Sequence, residues 1–230
     1  MSQMVQNRSS LTQKKQEGKI NPRIFLLSLG MFALGTDAFI VAGVLPTISH
    51  EMGVTESLAG QLVTSFSLTY SFGAPVLAAL TGRWPRVRTL MIALGAFCLF
   101  NIGSALAPTY TLLFLSRMLV GGCAAIFGPL AYTLGVTLAP PEKRGKALAL
   151  IASGLTLATV LGSPLGTWIG EHFGWRLSFG LVALLGGIAF AMLLLFRLSE
   201  TDSGPVLTLK DRLAPIREPR LVLALLPALS

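Results

Sequence analysis

Two formal charges lie deep inside long apolar stretches of this 230-residue chain: Asp37 in the first stretch and Arg117 in the fourth. A charged side chain at the centre of a membrane helix costs about 2.5–3.5 kcal/mol on insertion scales, so each needs a partner or a water-filled cavity. A carboxylate held in such a place can bind and release a proton. We interpret Asp37 as a proton-binding group, and the alternative is a static salt bridge that ties two helices together.

The elements that position these charges are predicted to be membrane helices. Hydrophobic residues make up 53% of the chain and charged residues only 12%, which is about half the charged share of a soluble domain. The 18 Lys and Arg outnumber the 10 Asp and Glu, an excess that also occurs in nucleic-acid-binding proteins. Here the basic residues form short tracts between apolar runs rather than one soluble face, so nucleic acid is not an expected partner.

Six apolar segments are long enough to cross a bilayer, which takes about 20 residues of helix. The runs are continuous rather than alternating, which excludes a transmembrane β-barrel. Residues 1–22 are predicted to be a basic, disordered tail, residues 198–220 a cytoplasmic linker and residues 221–230 the start of a truncated seventh span. We number the six segments as spans 1 to 6, and they cover residues 24–46, 58–80, 89–107, 110–134, 147–170 and 177–197.

The basic residues are distributed unevenly between the two ends of these spans. Lys and Arg are enriched in the cytoplasmic loops of membrane proteins, so the N-terminus is predicted to be cytoplasmic. The basic tail fits a topology anchor, with a regulatory or lipid-binding role as the alternative. Five Lys or Arg precede span 1, three lie in residues 81–88, three in 140–146 and five in 197–220, whereas the connections on the other side hold only Arg176.

Asp37 and Arg117 are predicted to lie at similar depths. Asp37 is nine residues from Pro46 at the outer end of span 1, a rise of roughly 13 Å. Arg117 is seven residues from Tyr110 at the outer end of span 4, a rise of roughly 10 Å. A direct or water-bridged contact between them is therefore feasible, and a change in that contact would link proton occupancy to conformation.

Neither a metal, a cofactor nor an enzymatic site is predicted. Cys98 and Cys123 lie inside apolar runs, and His50 and His172 are isolated near span ends, so no metal-ligand spacing is present. The chain lacks the glycine-rich phosphate loop of ATP-driven exporters. No span carries paired acids or a Ser/His arrangement, which argues against an intramembrane enzyme.

A row of small residues recurs every four positions in span 5. Such a row removes side chains from one helix face and lets another backbone approach closely. Pro164 lies inside the row and permits a kink. Tight helix packing is the expected role, and a packing surface that shapes a conformational cycle can coexist with it. The row consists of Gly154, Ala158, Gly162, Gly166 and Gly170.

Small and hydroxyl residues also follow one stripe of span 2. They are Gly60, Thr64, Ser67 and Ser71. Such a stripe either lines a cavity or packs against a neighbouring helix, and we favour packing.

Several segments together resemble the major facilitator superfamily, in particular its twelve-span drug:proton antiporter branch and the chloramphenicol-resistance and arabinose-efflux types of exporter. Asp37 matches an acidic position of the first-helix motif, and Arg117 matches an arginine implicated in proton transfer. Gly154, Gly162, Pro164 and Gly166 fall on the antiporter motif of span 5. The segments are LGTDAFIVAGVLPTIS (34–49), LSRMLVGG (115–122), LGSPLGTWIG (161–170) and FGWRLSF (173–179).

The connection between spans 2 and 3 departs most from the family pattern. Arg83 and Arg86 keep two of its basic positions, but Gly82 replaces an aspartate, and Ala78 and Pro85 replace glycines. In the family, that aspartate helps to lock the inner gate. The resemblance therefore implies an inner-gate loop that is weaker or differently built, while the two arginines also fit a role in topology alone.

The resemblance implies an all-α membrane protein with the six-helix N-terminal half of a major facilitator fold in residues 23–197, made of two inverted three-helix repeats. It implies proton-coupled efflux of small amphipathic compounds by a multi-pass protein of a bacterial inner membrane. A sugar or sugar-alcohol exporter and an inactive, partner-binding half are the alternatives. The missing C-terminal half is the expected intramolecular partner, and the small-residue face of span 5 is expected to lack a partner without it.

Overall fold

The computed structural model describes residues 21–196, and over that range the chain contains helices and turns but no strand. All six spans are long and apolar enough to cross a membrane. The predicted linker and seventh span lie outside the described residues, as does nearly all of the tail. Spans 1 to 4 are the α-helices Arg23–Met52, Glu56–Leu80, Arg86–Ala105 and Tyr110–Leu138, span 5 is Pro141–Phe173, and span 6 is Trp175–Leu195.

Span 1 is longer than its sequence pattern indicates. The helix continues through Pro46 to Met52 and ends at Gly53, whose φ of 64° lets its amide bond the carbonyl of Ser49. A proline removes one backbone donor, but packed neighbours can hold a membrane helix together around it. The 30 residues of this helix rise about 45 Å, which exceeds the hydrocarbon thickness. Span 1 must therefore tilt or project from the bilayer.

Span 5 is not one regular helix. A short 3₁₀ turn, Pro141–Lys143, leads into the α-helix Arg144–Leu157, followed by a π-helical segment, Ala158–Gly162, and the α-helix Ser163–Phe173. The irregularity predicted at Pro164 thus lies in the turn before it. Pro164 has no amide hydrogen, so the continuous helix loses one backbone hydrogen bond at this point. The π-helical segment absorbs the distortion that a mid-helix proline would otherwise cause.

Consecutive spans run in opposite directions because the connections between them are short. Thr55 and Thr109 cap spans 2 and 4 by accepting hydrogen bonds from Leu58 and Leu112. Gly174, with a φ of 92°, alone separates spans 5 and 6. We call the end where spans 1, 3 and 5 begin the basic end, and the end where spans 2, 4 and 6 begin the opposite end.

The packing of the spans has an internal symmetry. Span 1 packs against spans 2, 4, 5 and 6, span 4 packs against spans 5, 1, 2 and 3, and spans 3 and 6 pack against each other. Exchanging spans 1–3 for spans 4–6 maps this set of contacts onto itself, whereas the contact between spans 5 and 6 has no equally extensive counterpart between spans 2 and 3. The bundle therefore consists of two three-helix repeats. Because each repeat crosses the membrane three times, the second repeat starts on the opposite side and is inverted relative to the first.

Burial differs strongly between the spans. In the most apolar 18-residue stretch of each span, 67% of the residues of span 1 are buried, compared with 17% in span 2 and 22% in span 5. Spans 1 and 4, which are equivalent in the two repeats, form the interior of the bundle. Spans 2 and 5 have a long face that no other described residue covers.

Candidate functional site

The structure brings Asp37 and Arg117 into direct contact in the interior of the bundle. The two terminal nitrogens of Arg117 donate to the two carboxylate oxygens of Asp37 at 2.8 and 3.0 Å. Both residues have no exposed surface. This bidentate geometry is the strongest arrangement available to a carboxylate and a guanidinium, and it joins the two equivalent helices of the repeats.

Two aromatic rings enclose the guanidinium of Arg117. The ring of Phe66 in span 2 is 4.9 Å from the guanidinium carbon, and the ring of Phe179 in span 6 is 5.4 Å away. Both distances suit cation–π contact. The third donor of Arg117, Nε, is buried and has no hydrogen-bond partner within residues 21–196. The pair is therefore well compensated but not fully satisfied, which fits a group that changes partners.

Neighbouring residues fix the position of Arg117 along span 4. Gly121 allows the backbone of span 2 to approach so closely that a Cβ there would lie 2.6 Å from the carbonyl oxygen of Phe66. One residue before the arginine, the Ser116 hydroxyl lies 2.8 Å from that of Ser104 in span 3. Span 4 is thus held on two sides, and the guanidinium is directed towards span 1.

The small-residue row of span 5 packs against span 1. This corrects the expectation that the face would lack a partner, because span 1 covers it. Tight packing of the row is confirmed, because a Cβ added at its glycines would overlap atoms of span 1. The overlaps are Gly154 with the backbone oxygen of Ser28, Gly162 with Thr36, Gly166 with Ile40 and Gly170 with Val44, while Ala158 lies against Gly35.

The π-helical segment of span 5 lies beside the ion pair. Gly162, its last residue, meets Thr36, the residue before Asp37. Pro164 itself is exposed. The glycines predicted from the antiporter-type motif therefore pack against span 1, which carries Asp37, whereas Pro164 faces away from span 1.

The hydroxyl stripe of span 2 does not pack as expected. Thr64, Ser67 and Ser71 are exposed, and a Cβ at Gly60 would meet nothing within 4 Å. The stripe belongs to the uncovered face of span 2. Within residues 21–196, the cavity-lining alternative fits its exposure better than packing does.

The two arginines of the predicted inner-gate loop differ in position. Arg83 is exposed, whereas Arg86 is half-buried at the start of span 3. Arg86 lines a cavity of about 280 Å³ at the basic end, between spans 2, 3 and 4. Gly82 lines the same cavity, so the position of the family's aspartate provides no carboxylate there.

Sequence reasoning missed several residues around the site. Phe66 and Phe179 are ordinary apolar residues in their spans, and only the crossing of spans 2, 4 and 6 places them on Arg117. At the opposite end, Glu51 pairs with Arg176 and accepts a 2.7 Å hydrogen bond from the indole of Trp175. The lone arginine of the opposite connections was the available signal for that second pair.

Inverted repeats are a feature of many secondary transporters, and paired ionisable residues inside membrane helices mark substrate or ion pathways. Residues 27–229 match the sequence profile of the Major Facilitator Superfamily. The chain belongs to this superfamily, and it is an integral membrane protein with the fold of one transporter half.

Three relatives illustrate the similarity. The inner membrane transport protein YdhP of Escherichia coli K12 is 35% identical over 90% of this chain and 53% of its own length. A chloramphenicol resistance protein of Streptomyces lividans is 35% identical over 88% of this chain and 53% of its own length. A probable sugar efflux transporter of Helicobacter pylori P12 is 34% identical over 75% and 44%, respectively. The chain thus spans about half the length of these relatives.

Solved structures share the fold. The peptide transporter POT (E310Q mutant) in complex with alafosfalin superposes with a TM-score of 0.71 at 17% identity, over 92% of this chain and 47% of that one. The proton:xylose symporter XylE superposes with a TM-score of 0.66 at 18% identity, over 89% and 48%. At these identities the likeness concerns the fold alone.

Proposed function

We propose that this chain is the N-terminal half of a proton-coupled exporter that moves small amphipathic compounds by alternating access. The observation that carries the proposal is the bidentate Asp37–Arg117 pair, buried where the central helices of the two repeats meet. Asp37 binds the transported proton and Arg117 controls when it can do so.

Charge balance explains how the pair could couple proton movement to conformation. A proton added to Asp37 neutralises the carboxylate and leaves Arg117 as an uncompensated buried cation. A charge at that depth costs about 2.5–3.5 kcal/mol on insertion scales. Protonation therefore favours any rearrangement that gives Arg117 water or another acceptor, and the unpartnered Nε is available for such a contact.

Span 5 would transmit that rearrangement. Its small-residue row is pressed against span 1 along four turns, and the π-helical segment lies level with Asp37. A local adjustment at the pair therefore reaches span 5, whose other face is uncovered. We propose that this face, with span 2, meets the C-terminal half across a substrate cavity.

The cargo has two candidate classes. The similarity to a chloramphenicol resistance protein supports a drug-like amphipathic compound. The similarity to a probable sugar efflux transporter supports a sugar or sugar alcohol as the second candidate. A half that binds partners without transport is the third. The charge asymmetry and the relative from an inner membrane support a bacterial inner-membrane location with the N-terminus in the cytoplasm.

The first experiment is to read the native gene beyond codon 230 and to express the whole reading frame. Everted membrane vesicles containing that protein are energised to an acidic interior, and proton release is followed on addition of chloramphenicol or of arabinose. The expected result is release with chloramphenicol. Proton release with arabinose alone favours the sugar candidate. If neither compound nor a panel of related compounds causes proton release, the result favours a half that binds partners without transport.

The Asp37→Asn variant then tests the coupling residue. It should still reach the membrane but show no cargo-dependent proton release, while Asp37→Glu retains part of it. Glu51→Gln, which removes the carboxylate that pairs with Arg176, is the matched control and should behave like wild type. Full cargo-dependent proton release in Asp37→Asn would refute the role of Asp37 in proton coupling.

A further inference from the structure

We propose that Tyr70 of span 2 and Tyr132 of span 4 form a stacking site for a planar aromatic cation, on the uncovered side of the Asp37–Arg117 pair. The inference rests on the proposed function, since it identifies the part of the cargo that this half would bind.

A continuous stack runs from the ion pair to the uncovered surface of the bundle. Arg117 lies over the ring of Phe66 at 4.9 Å. The rings of Phe66 and Tyr70, one turn apart on span 2, have centroids 6.2 Å apart and planes that differ by only 8°. This is an offset parallel arrangement of the kind that aromatic side chains prefer. Tyr70 lies at the end of the stack farthest from Arg117 and is 39% exposed.

Span 4 provides the second wall of the site. A Cβ at Gly128 would lie 3.5 Å from the Tyr70 hydroxyl, so the missing side chain leaves room for the phenol to lean against span 4. Tyr132 follows Gly128 by one helical turn. Residues four apart lie on the same face of a helix, so Tyr132 lies on the face of span 4 that Tyr70 approaches. Tyr70 and Tyr132 therefore flank one surface where spans 2 and 4 meet.

The two phenol hydroxyls have no hydrogen-bond partner among residues 21–196, which sets them apart from the third tyrosine. Tyr110 donates to the carbonyl of Leu58 at 2.6 Å. Tyrosine hydroxyls in apolar surroundings usually find such a partner. Tyr70 is ten residues from the end of span 2 at Leu80, or about 15 Å along the helix, so it lies near the middle of the membrane. At that depth the two hydroxyls are available to a polar ligand.

The charge of the site favours a cation. Residues 57–80 of span 2 and 118–138 of span 4 contain no formal charge, and Arg117 is neutralised by Asp37. The groups that remain are electron-rich ring faces and hydroxyl oxygens. Both attract positive charge, and ring faces do so most strongly when water is excluded. A planar aromatic cation can therefore stack and satisfy the hydroxyls in one pose.

Occupancy of this site would reach the ion pair through Phe66. A ligand on Tyr70 holds that ring in place, and Tyr70 in turn limits the movement of Phe66 over Arg117. Through this stack, a bound ligand would restrict the movement of Arg117, which controls proton binding at Asp37. Loss of the Tyr70 ring should therefore weaken both binding and the coupling between ligand and proton release.

Binding of ethidium, a fluorescent planar cation, to the protein with its whole reading frame in lipid nanodiscs tests the site. Tyr70→Leu should weaken binding about 3- to 30-fold, the range expected for loss of one cation–π contact. Tyr70→Phe, which keeps the ring, should lose less. Phe72→Leu is the matched control: Phe72 is 71% exposed on the same span and makes no ring contact within residues 21–196.

The outcomes separate this site from the proposed function. Unchanged binding in Tyr70→Leu and in Tyr132→Leu, equal losses in Phe72→Leu, or no binding to wild type would overturn the site, whatever the vesicle assay shows. Tyr70-dependent binding of chloramphenicol but not of ethidium would overturn the preference for a cation. Tyr70-dependent ethidium binding without any ligand-driven proton release would keep the site and refute proton-coupled export.

Discussion

The Asp37–Arg117 pair and the Glu51–Arg176 pair have opposite surroundings. Asp37 and Arg117 have no exposed surface in the interior of the bundle, and two aromatic rings contact the guanidinium of Arg117. The side chains of Glu51 and Arg176 are 46% and 39% exposed at the opposite end. Arg176 also donates to the carbonyl of Ala107 and lies 4.3 Å from the ring of Trp175.

The comparison shows that the same chemistry serves different purposes at different depths. An exposed pair gains little because water already solvates both charges. A buried pair has lost that solvation, so each partner depends on the other and breaking the pair is costly. The Glu51 cluster therefore ties the ends of spans 1 and 6 to the turn before span 4. The Asp37 pair is a poor choice for stability alone, which is a reason to seek its value in function.

The largest effect is expected from removing one partner of the buried pair. Arg117→Leu leaves Asp37 as an uncompensated buried charge and should destabilise the protein by about 3–5 kcal/mol, unless the carboxylate takes up a proton. Thermal unfolding in detergent, followed by intrinsic fluorescence, measures the loss.

The double variant Asp37→Leu/Arg117→Leu provides the control for this prediction. An apolar replacement of both partners should restore most of the stability but no proton release. A double variant that is as unstable as Arg117→Leu would show that the pair is mainly structural and would weaken the contrast between the two regions.

An intermediate loss of stability is expected from a substitution in the part of span 5 that packs against span 1. Gly162→Ala places a methyl group on Thr36, whose hydroxyl bonds the carbonyl of Phe32 at 2.8 Å. Overpacking of this kind costs about 1–3 kcal/mol. Gly103→Ala in span 3 is the control, since its Cβ would meet nothing within 4 Å.

The same two variants also sharpen the comparison at the level of function. Gly162→Ala should disturb cargo-dependent proton release in everted vesicles, because it moves the residue next to Asp37. Gly103→Ala should leave it unchanged. Equal behaviour of the two variants would separate span 5 from the coupling site.

The smallest effect is expected at the exposed pair. Glu51→Gln should lower stability by no more than about 1 kcal/mol, and added salt should shrink the difference from wild type. The Trp175 hydrogen bond can be kept by the amide oxygen. A loss as large as that of Arg117→Leu, measured in the same unfolding assay, would remove the distinction between the two pairs.

The existence of six spans and the meeting of Asp37 with Arg117 could be predicted, because hydrophobic length and helical rise depend only on local sequence. The end of span 1 was placed too early at Pro46, since packed neighbours hold the helix together beyond the proline. Packing was favoured for the hydroxyl stripe of span 2, and within residues 21–196 no helix covers it. Its small residues are compatible with either a helix or a cavity as neighbour.

The sequence by itself determined the apolar spans, the short connections that make them antiparallel, and the two charges that must find partners in the membrane. Only the tertiary structure decided that span 1 covers the glycines of span 5, that Phe66 and Phe179 enclose Arg117, and that a π-helical segment precedes Pro164. These features depend on which helices cross and at what distance. That choice is made by side-chain packing between distant segments, which no single span encodes.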